Sequence, residues 1–131
     1  MNLTVYSRNR IMKTFSRWNV TTEFADPMYN YLVHGYNPGS CFTAVLANDF
    51  YNAIGSSHPA NTIEAFKALA GWIKEYCPTE AYSSYEKVKF WCDLDTEDRR
   101  DILEHNRLIY TPKKETWLAL TEPEPVEPVL Y

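Results

Sequence analysis

The chain has 131 residues, of which 45% are hydrophobic and 23% are charged, a length and composition typical of one globular domain. This composition excludes a chain that is disordered throughout, and no run of about 18 apolar residues indicates a membrane span. The three cysteines are too far apart to suggest a disulfide framework, which favours a reducing cytoplasm. The net charge of −4 is uneven, because residues 1–23 carry +3 and residues 93–131 carry −5.

The first 27 residues predict an extended segment. Residues that favour strands recur at every second position from Trp18 to Phe24, and a period of two is typical of a strand. Pro27 biases the residue before it away from the helical conformation, which closes the segment. We therefore expect residues 1–27 to be an extended N-terminal segment ahead of a globular domain formed by residues 28–121.

A helix is predicted after the turn of residues 37–39. Apolar residues recur at spacings of three and four from Phe42 to Ile54, which is the pattern of one buried helix face. Ser40 is expected to be the N-cap, because its hydroxyl can accept a hydrogen bond from an unpaired amide of the first turn.

Three further helices are predicted later in the chain. The first begins near Asn61 and ends before Pro78, since proline cannot continue a helix. Two shorter helices are predicted over residues 83–92 and 96–105. The residues expected to face inward in the 83–92 helix are Val88 and Trp91.

The two ends of the chain are predicted to supply a small antiparallel sheet. Runs that favour strands at 108–111 and 116–120 flank a polar turn, as in a hairpin, and residues 3–6 and 18–24 would pair with them. Glu and Pro recur in residues 122–131, and this proline density favours a solvated polyproline II tail. The predicted fold class is therefore α+β, mainly α, with three or four short helices and this sheet.

The sequence carries no motif for a metal or a cofactor. It has no Cys-x-x-Cys pair and no His pair at i and i+4, and a structural zinc site needs such close pairs. The four glycines form no phosphate-binding pattern. We therefore predict no metal, no cofactor and a protein that is not an enzyme.

One catalytic alternative is a small hydrolase that uses a Cys–His couple. Cys41 lies at the predicted start of a helix, where the helix dipole lowers the pKa of a thiol, and His34 is seven residues upstream. Such a couple requires the two side chains to be adjacent in space, so this alternative depends on the fold.

A nucleic-acid interface is a further hypothesis. Basic residues interleave with aromatic residues near the start of the chain, a pattern typical of phosphate contact combined with base stacking. The basic residues are Arg8, Arg10, Lys13 and Arg17, and their aromatic neighbours include Phe15 and Trp18. The acidic pI of about 5.3 makes a protein the favoured partner.

Protein binding accounts best for the aromatic content, which is 15% and includes ten tyrosines. A domain of this size cannot enclose all of them, and clustered exposed aromatic side chains mark interfaces. Asp49 falls on or beside the apolar stripe of the predicted 42–54 helix. We expect it to be largely buried and to accept a hydrogen bond from residues 28–40. The predicted partner-binding residues are Tyr29, Tyr31, Tyr36, Asp49, Tyr82 and Tyr85.

Residues 28–49 read Met-Tyr-Asn-Tyr-Leu-Val-His-Gly-Tyr-Asn-Pro-Gly-Ser-Cys-Phe-Thr-Ala-Val-Leu-Ala-Asn-Asp. This block resembles the opening of a family of small uncharacterised bacteriophage accessory proteins, whose pattern is Met-Tyr, a Gly, Pro-Gly-Ser-Phe, Ala-Val-Leu and Asn-Asp. Weaker similarity continues to Trp91, and Cys41 stands where the family commonly has Phe. The resemblance implies a bacteriophage context and brings no known activity.

This context implies a protein that acts in the cytoplasm of the bacterial host, away from membranes. We expect it to bind and inhibit or redirect a host protein, such as a defence factor or a nucleic-acid-processing factor. The alternative in the same context is a structural component of the virion, in which residues 122–131 would order against a neighbouring subunit. The sequence does not predict the oligomeric state.

Overall fold

The computed structural model describes residues 3–58, 61–106 and 108. These residues form seven α-helices and two short 3₁₀ turns, and no strand occurs among them. The helices are α1 (Leu3–Trp18), α2 (Ala25–His34), α3 (Ser40–Leu46), α4 (Phe50–Ser56), α5 (Ile63–Tyr76), α6 (Tyr85–Asp93) and α7 (Thr96–His105). The 3₁₀ turns cover Thr22–Phe24 and Thr79–Ala81.

The predicted α+β class is wrong for the described residues, because the N-terminal segment is helical rather than extended. Residues 3–6, predicted as a strand, lie in α1, and residues 18–24 contain the end of α1 and a 3₁₀ turn. Ile11 and Phe15 are four residues apart on α1, and both are fully buried. Core contacts at this helical spacing outweigh the strand propensity of the segment.

The predicted C-terminal strands, at 108–111 and 116–120, lie outside the described residues apart from Leu108, as does the tail of residues 122–131. Leu108 is buried, and its amide donates to the carbonyl of Leu103 (3.0 Å). Leu108 therefore packs against the last turns of α7.

The predicted helix over residues 42–54 is in fact two helices, α3 and α4. The chain leaves the helical conformation at Asn48, which has a φ of 64°, and Asp49 is then the N-cap of α4. Asn enters the left-handed region more readily than most residues, and Asp is among the best N-caps. The N-cap of α3 is Gly39 rather than the predicted Ser40.

The three later helices are confirmed, with small differences at their ends. α5 begins after Thr62, whose hydroxyl accepts from the amide of Ala65 (3.1 Å). α6 begins after Ser84, and α7 has the bounds that the sequence predicted. Val88 and Trp91 are buried as expected. Local sequence signals therefore placed these helices, although they set the start of α5 and α6 slightly too early.

Trp72 joins α1 to α5 inside the core. Its indole N–H donates to the hydroxyl of Thr14 (2.8 Å), and Phe15 meets its ring edge to face with centroids 4.8 Å apart. Trp72 and Phe15 are fully buried in the core that the later helices also form. The N-terminal segment therefore shares one core with the residues predicted to form the globular domain.

Arg99 of α7 is buried and binds the C-terminal ends of two other helices. Its Nε donates to the carbonyl of Val33 (3.3 Å), and its Nη2 donates to that of His34 (3.2 Å), at the end of α2. Its Nη1 donates to the carbonyls of Trp91 (3.3 Å) and Leu94 at the end of α6. Terminal carbonyls lack a partner within their helix and carry partial negative charge. The guanidinium supplies both the hydrogen bonds and the opposite charge.

Gly35 leaves the space that Arg99 occupies. It follows α2 with a φ of 70°, in the left-handed region that favours glycine. A Cβ at this position would lie 2.6 Å from Nη1 of Arg99 and 2.7 Å from its Cζ. Any side chain at residue 35 would therefore displace the guanidinium and strain the backbone.

We expect Gly35→Ala to lower the free energy of unfolding by about 2 kcal/mol or more, because a left-handed conformation alone costs alanine about 1–2 kcal/mol. Gly55→Ala is the matched control, since Gly55 lies in α4 with open space at its Cβ position. Alanine there is expected to be neutral or to stabilise by about 0.5–1 kcal/mol. Urea unfolding followed by tryptophan fluorescence measures both variants, and equal effects would contradict this account of the end of α2.

Candidate functional site

The side chain of Asp49 joins the start of α4 to the start of α6. Its Oδ1 accepts from the backbone amide of Asn52 (3.4 Å), as expected of an N-cap. Its Oδ2 accepts from the side-chain amide of Asn52 (2.6 Å) and from the hydroxyl of Tyr85 (2.6 Å). Hydrogen bonds to an ionised carboxylate are stronger than those between neutral groups. They hold the phenol of Tyr85 at the N-terminal end of α4.

Two hydrogen bonds join α3 to α4 and to the chain just before α6, beside the turn at Asn48. The amide of Ser83 donates to the carbonyl of Leu46, the last residue of α3 (2.7 Å), and Ser83 itself has a φ of 101°. The thiol of Cys41 donates to the carbonyl of Ala53 (3.4 Å) and so joins α3 to α4. The position of Tyr85 therefore depends on the backbone around it as well as on Asp49.

The hydrogen bond from the Tyr85 hydroxyl is the main reason why the pKa of Asp49 lies below its usual value of 3.8. The hydrogen bonds from Asn52 lower this pKa further. The same hydrogen bond raises the pKa of Tyr85 above its usual 10.0. At neutral pH the pair is therefore an accepting carboxylate and a donating phenol.

The expected burial of Asp49 is wrong. Asp49 is only partly buried, and its hydrogen-bond donors are Asn52 and Tyr85 rather than residues 28–40. The reason is the helix break at Asn48, which removes residue 49 from the apolar stripe of α3 and makes it an N-cap.

Exposed side chains follow Asp49 on α4, and Tyr85 itself is exposed. Tyr51 is 88% exposed, Tyr85 is 50% exposed and Ile54 is 40% exposed. Tyr51 and Ile54 are three residues apart on α4, which places them on one side of the helix. We name Asp49, Tyr51, Ile54 and Tyr85 the α4–α6 surface.

Sequence reasoning missed Tyr51 and Ile54 as members of a surface site. It assigned Ile54 to a buried stripe because it extended one helix across Asn48 and Asp49. The signal that could have found the break is this Asn-Asp pair, since Asn favours a left-handed turn and Asp favours an N-cap.

Of the other four tyrosines predicted to bind a partner, two are buried, one is half-buried and one is exposed. Tyr29 and Tyr31 are buried, and the Tyr31 hydroxyl donates to a backbone carbonyl (2.6 Å), so their expected exposure is wrong. Tyr82 is half-buried against the core. Tyr36 is 62% exposed, and its ring stacks on that of His34 with centroids 5.4 Å apart.

Cys41 and His34 lie in different environments. The Cys41 thiol contacts the carbonyl of Ala53, and the ring of His34 contacts the rings of Tyr29 and Tyr36. Burial raises the pKa of Cys41, whereas an activated cysteine nucleophile needs a lowered pKa. These observations give the hydrolase alternative no support.

Three of the four predicted nucleic-acid residues line one cleft. Arg10, Lys13 and Arg17 border a space of about 540 Å³ that is open to solvent. Arg8 instead forms an ion pair with Asp26. The basic cleft is defined here by Arg10, Lys13, Thr14, Arg17, Tyr76 and Asn106.

The sequence also predicted no metal site, no membrane span and no disulfide framework. Among residues 3–58, 61–106 and 108, no group of three or more His, Cys, Asp or Glu side chains is arranged to hold a metal ion. No helix in this described part of the chain has both the length and the apolar character needed to cross a bilayer. Cys41, Cys77 and Cys92 are free thiols.

Comparison of the chain with protein-family models, with curated proteins and with solved structures gives no match. The resemblance of residues 28–49 to bacteriophage accessory proteins therefore stays a prediction. The α4–α6 surface and the basic cleft are the two candidate functional sites of the described residues.

We expect Tyr85→Phe to raise the pKa of Asp49 towards its usual value of 3.8, because the substitution removes the main donor and keeps the ring. Since folding lowers this pKa, the contribution of the bond to stability is present above pH 3.8 and is lost as the pH falls through the lower, folded-state pKa. The pH titration of the Asp49 carboxyl carbon by NMR measures the change. Tyr51→Phe is the control that should leave the titration unchanged, and an unchanged midpoint in Tyr85→Phe would contradict the assignment.

Proposed function

We propose that the protein is a non-enzymatic binding protein that uses the α4–α6 surface to contact a protein of the bacterial host. The observation that carries the proposal is the exposure of Tyr51, Ile54 and Tyr85 beside an ordered carboxylate. Exposed apolar side chains that lie together are typical of partner surfaces. Tyrosine is also enriched among the residues that dominate interface energies.

Tyr85 is held in place before any partner arrives. Its hydroxyl is bound by Asp49, and the adjacent backbone is held by the bond from Ser83 to Leu46. A side chain that is already ordered loses less conformational freedom on binding. Tyr36 is also held in place, by stacking on His34, but the α4–α6 surface combines three exposed side chains with an ordered carboxylate.

The charge distribution indicates the chemistry of the partner. Residues 93–131 carry a net charge of −5, and the carboxylate of Asp49 adds negative charge at the α4–α6 surface. A host protein with an apolar pocket and a basic rim would complement both features. Factors that process nucleic acids have such basic surfaces, and occupation of one would inhibit or redirect the factor.

The bacteriophage context of this proposal is supported by the resemblance of residues 28–49. In that context the protein acts in the host cytoplasm on a defence factor or a nucleic-acid-processing factor. A virion component would instead use its exposed surface against a neighbouring subunit. Mass spectrometry of purified particles distinguishes the two, because only a virion component would be found there.

We expect Tyr51→Ser combined with Ile54→Ser to weaken binding to the host partner at least tenfold, which is about 1.4 kcal/mol or more. Both side chains are exposed, and surface substitutions of this kind usually change stability by less than about 0.5 kcal/mol. Affinity capture from host lysate identifies the partner, and titration with the purified partner measures the affinity.

Phe90→Ser is the matched control, because Phe90 is 51% exposed on α6 and lies outside the α4–α6 surface. The proposal requires one partner that the wild type and Phe90→Ser both bind and that the double variant loses. Capture of the same partner with equal affinity by all three proteins would contradict it.

A further inference from the structure

The basic cleft shares no residue with the α4–α6 surface and has a different chemistry. Arg10, Lys13 and Arg17 follow one another at spacings of three and four residues on α1, which places them on one side of the helix. At a rise of 1.5 Å per residue the row extends over roughly 10 Å. Exposed charges act mainly within about 10 Å at moderate salt, and the described lining of the cleft contains these three cations and no carboxylate.

The spacing of these cations suits the phosphates of one nucleic-acid strand. Along α1 they are separated by roughly 4.5 and 6 Å. Phosphates of one strand are roughly 3.4 Å apart along a duplex axis, and an extended single strand separates them further. Lys13 and Arg17 are exposed, and the ion pairs observed within the described chain do not involve them.

Tyr76, the last residue of α5, adds an aromatic ring to the same cleft. The ring packs against Trp72 with centroids 5.9 Å apart, which restricts its motion, and it is only half-buried. Nucleobases of any identity stack on such a ring. An acidic peptide would use the cations but would gain little from the ring, so the combination favours a nucleic acid.

The stacking residue therefore differs from those that the sequence suggested. Phe15 is fully buried, and Trp18 lies over Gly71, at a position where a Cβ would be 2.7 Å from its ring. Neither is among the residues that line the basic cleft, whereas Tyr76 is.

We propose that the basic cleft binds a short segment of single-stranded nucleic acid, with Lys13 and Arg17 on neighbouring phosphates and Tyr76 against one base. This activity is additional to the contact with a host protein. The two are separable by experiment, because a variant of the α4–α6 surface should keep its affinity for nucleic acid.

Fluorescence anisotropy of the full chain with a labelled oligothymidylate of roughly 16 nucleotides, long enough for one such site, tests the proposal over a range of salt concentrations. Each cation on a phosphate of a single strand contributes about 0.7 to the slope of log affinity against log salt. Lys13→Gln combined with Arg17→Gln should therefore reduce the slope by about 1.4. Lys67→Gln combined with Lys87→Gln removes the same charge outside the cleft and should leave the slope unchanged.

Substitution of Tyr76 tests the stacking contact separately from the charge. Tyr76→Leu should weaken binding roughly tenfold, as expected for the loss of one stacked base, and should leave the salt slope unchanged. Tyr76→Phe keeps the ring and should bind like the wild type, and circular dichroism checks that each variant is folded.

Three results would overturn the proposal. The first is the absence of binding at low salt, and the second is an unchanged salt slope in the Lys13 and Arg17 double variant. The third is displacement of the labelled oligonucleotide by polyglutamate at the same concentration at which unlabelled oligonucleotide displaces it. None of these results depends on the stability of the Tyr76 variants.

Discussion

The last four carbonyls of α2, those of residues 31–34, accept hydrogen bonds from two side chains that arrive from other helices. The indole N–H of Trp91 donates to the first two (3.1 and 3.2 Å), and the guanidinium of Arg99 donates to the second two. The Tyr31 carbonyl also accepts from the amide of Gly35 (3.0 Å), whereas α2 cannot pair those of residues 32–34 by itself. Leaving a buried carbonyl unpaired would cost about 1–3 kcal/mol. The packing of α6 and α7 against α2 therefore depends on this set of bonds.

Arg99 can be buried at this position because its positive charge lies at the negative ends of two helices. Burial lowers its pKa, but the guanidinium of arginine stays protonated in proteins. Its partners are carbonyls at the negative ends of two helices, so the helix dipoles compensate part of the desolvation. Gly35 is required for the same reason, since only a residue without a Cβ leaves room for the guanidinium.

The hydrogen bonds of α2 help to position the α4–α6 surface but not the basic cleft. The hydroxyl of Tyr31 donates to the carbonyl of Ala81 in the 3₁₀ turn that precedes α6 (2.6 Å), so α2 also positions the loop that leads to Tyr85. The basic cleft instead belongs to α1, which Trp72 connects to α5. A change at one surface should therefore have little effect on the other.

The sequence predicted those features whose signals are local. Local signals near Asn61 and Ser83 placed α5 and α6, although the caps in the structure are the next residues, Thr62 and Ser84. The row of cations on α1 was found because its members are neighbours in sequence. The helical state of α1 was not found, because its core partner Trp72 is 58 residues away from Thr14. The bonds from Tyr85 to Asp49 and from Arg99 to the end of α2 join residues 36 and about 66 positions apart. Composition and periodicity carry no signal for such contacts.

The free energy of unfolding of Arg99→Met shows whether the bonds from Arg99 hold α6 and α7 against α2. Arg100→Met is its matched control, because Arg100 is also buried on α7 and forms ion pairs with Asp101 and Glu104 of the same helix. Arg99→Met should lower the free energy of unfolding by about 3 kcal/mol or more, since it leaves several carbonyls without a partner. Arg100→Met should lower it by less, because its ion-pair partners Asp101 and Glu104 are on the same helix and keep access to water. A loss for Arg99→Met that is no larger than the loss for Arg100→Met would contradict the account.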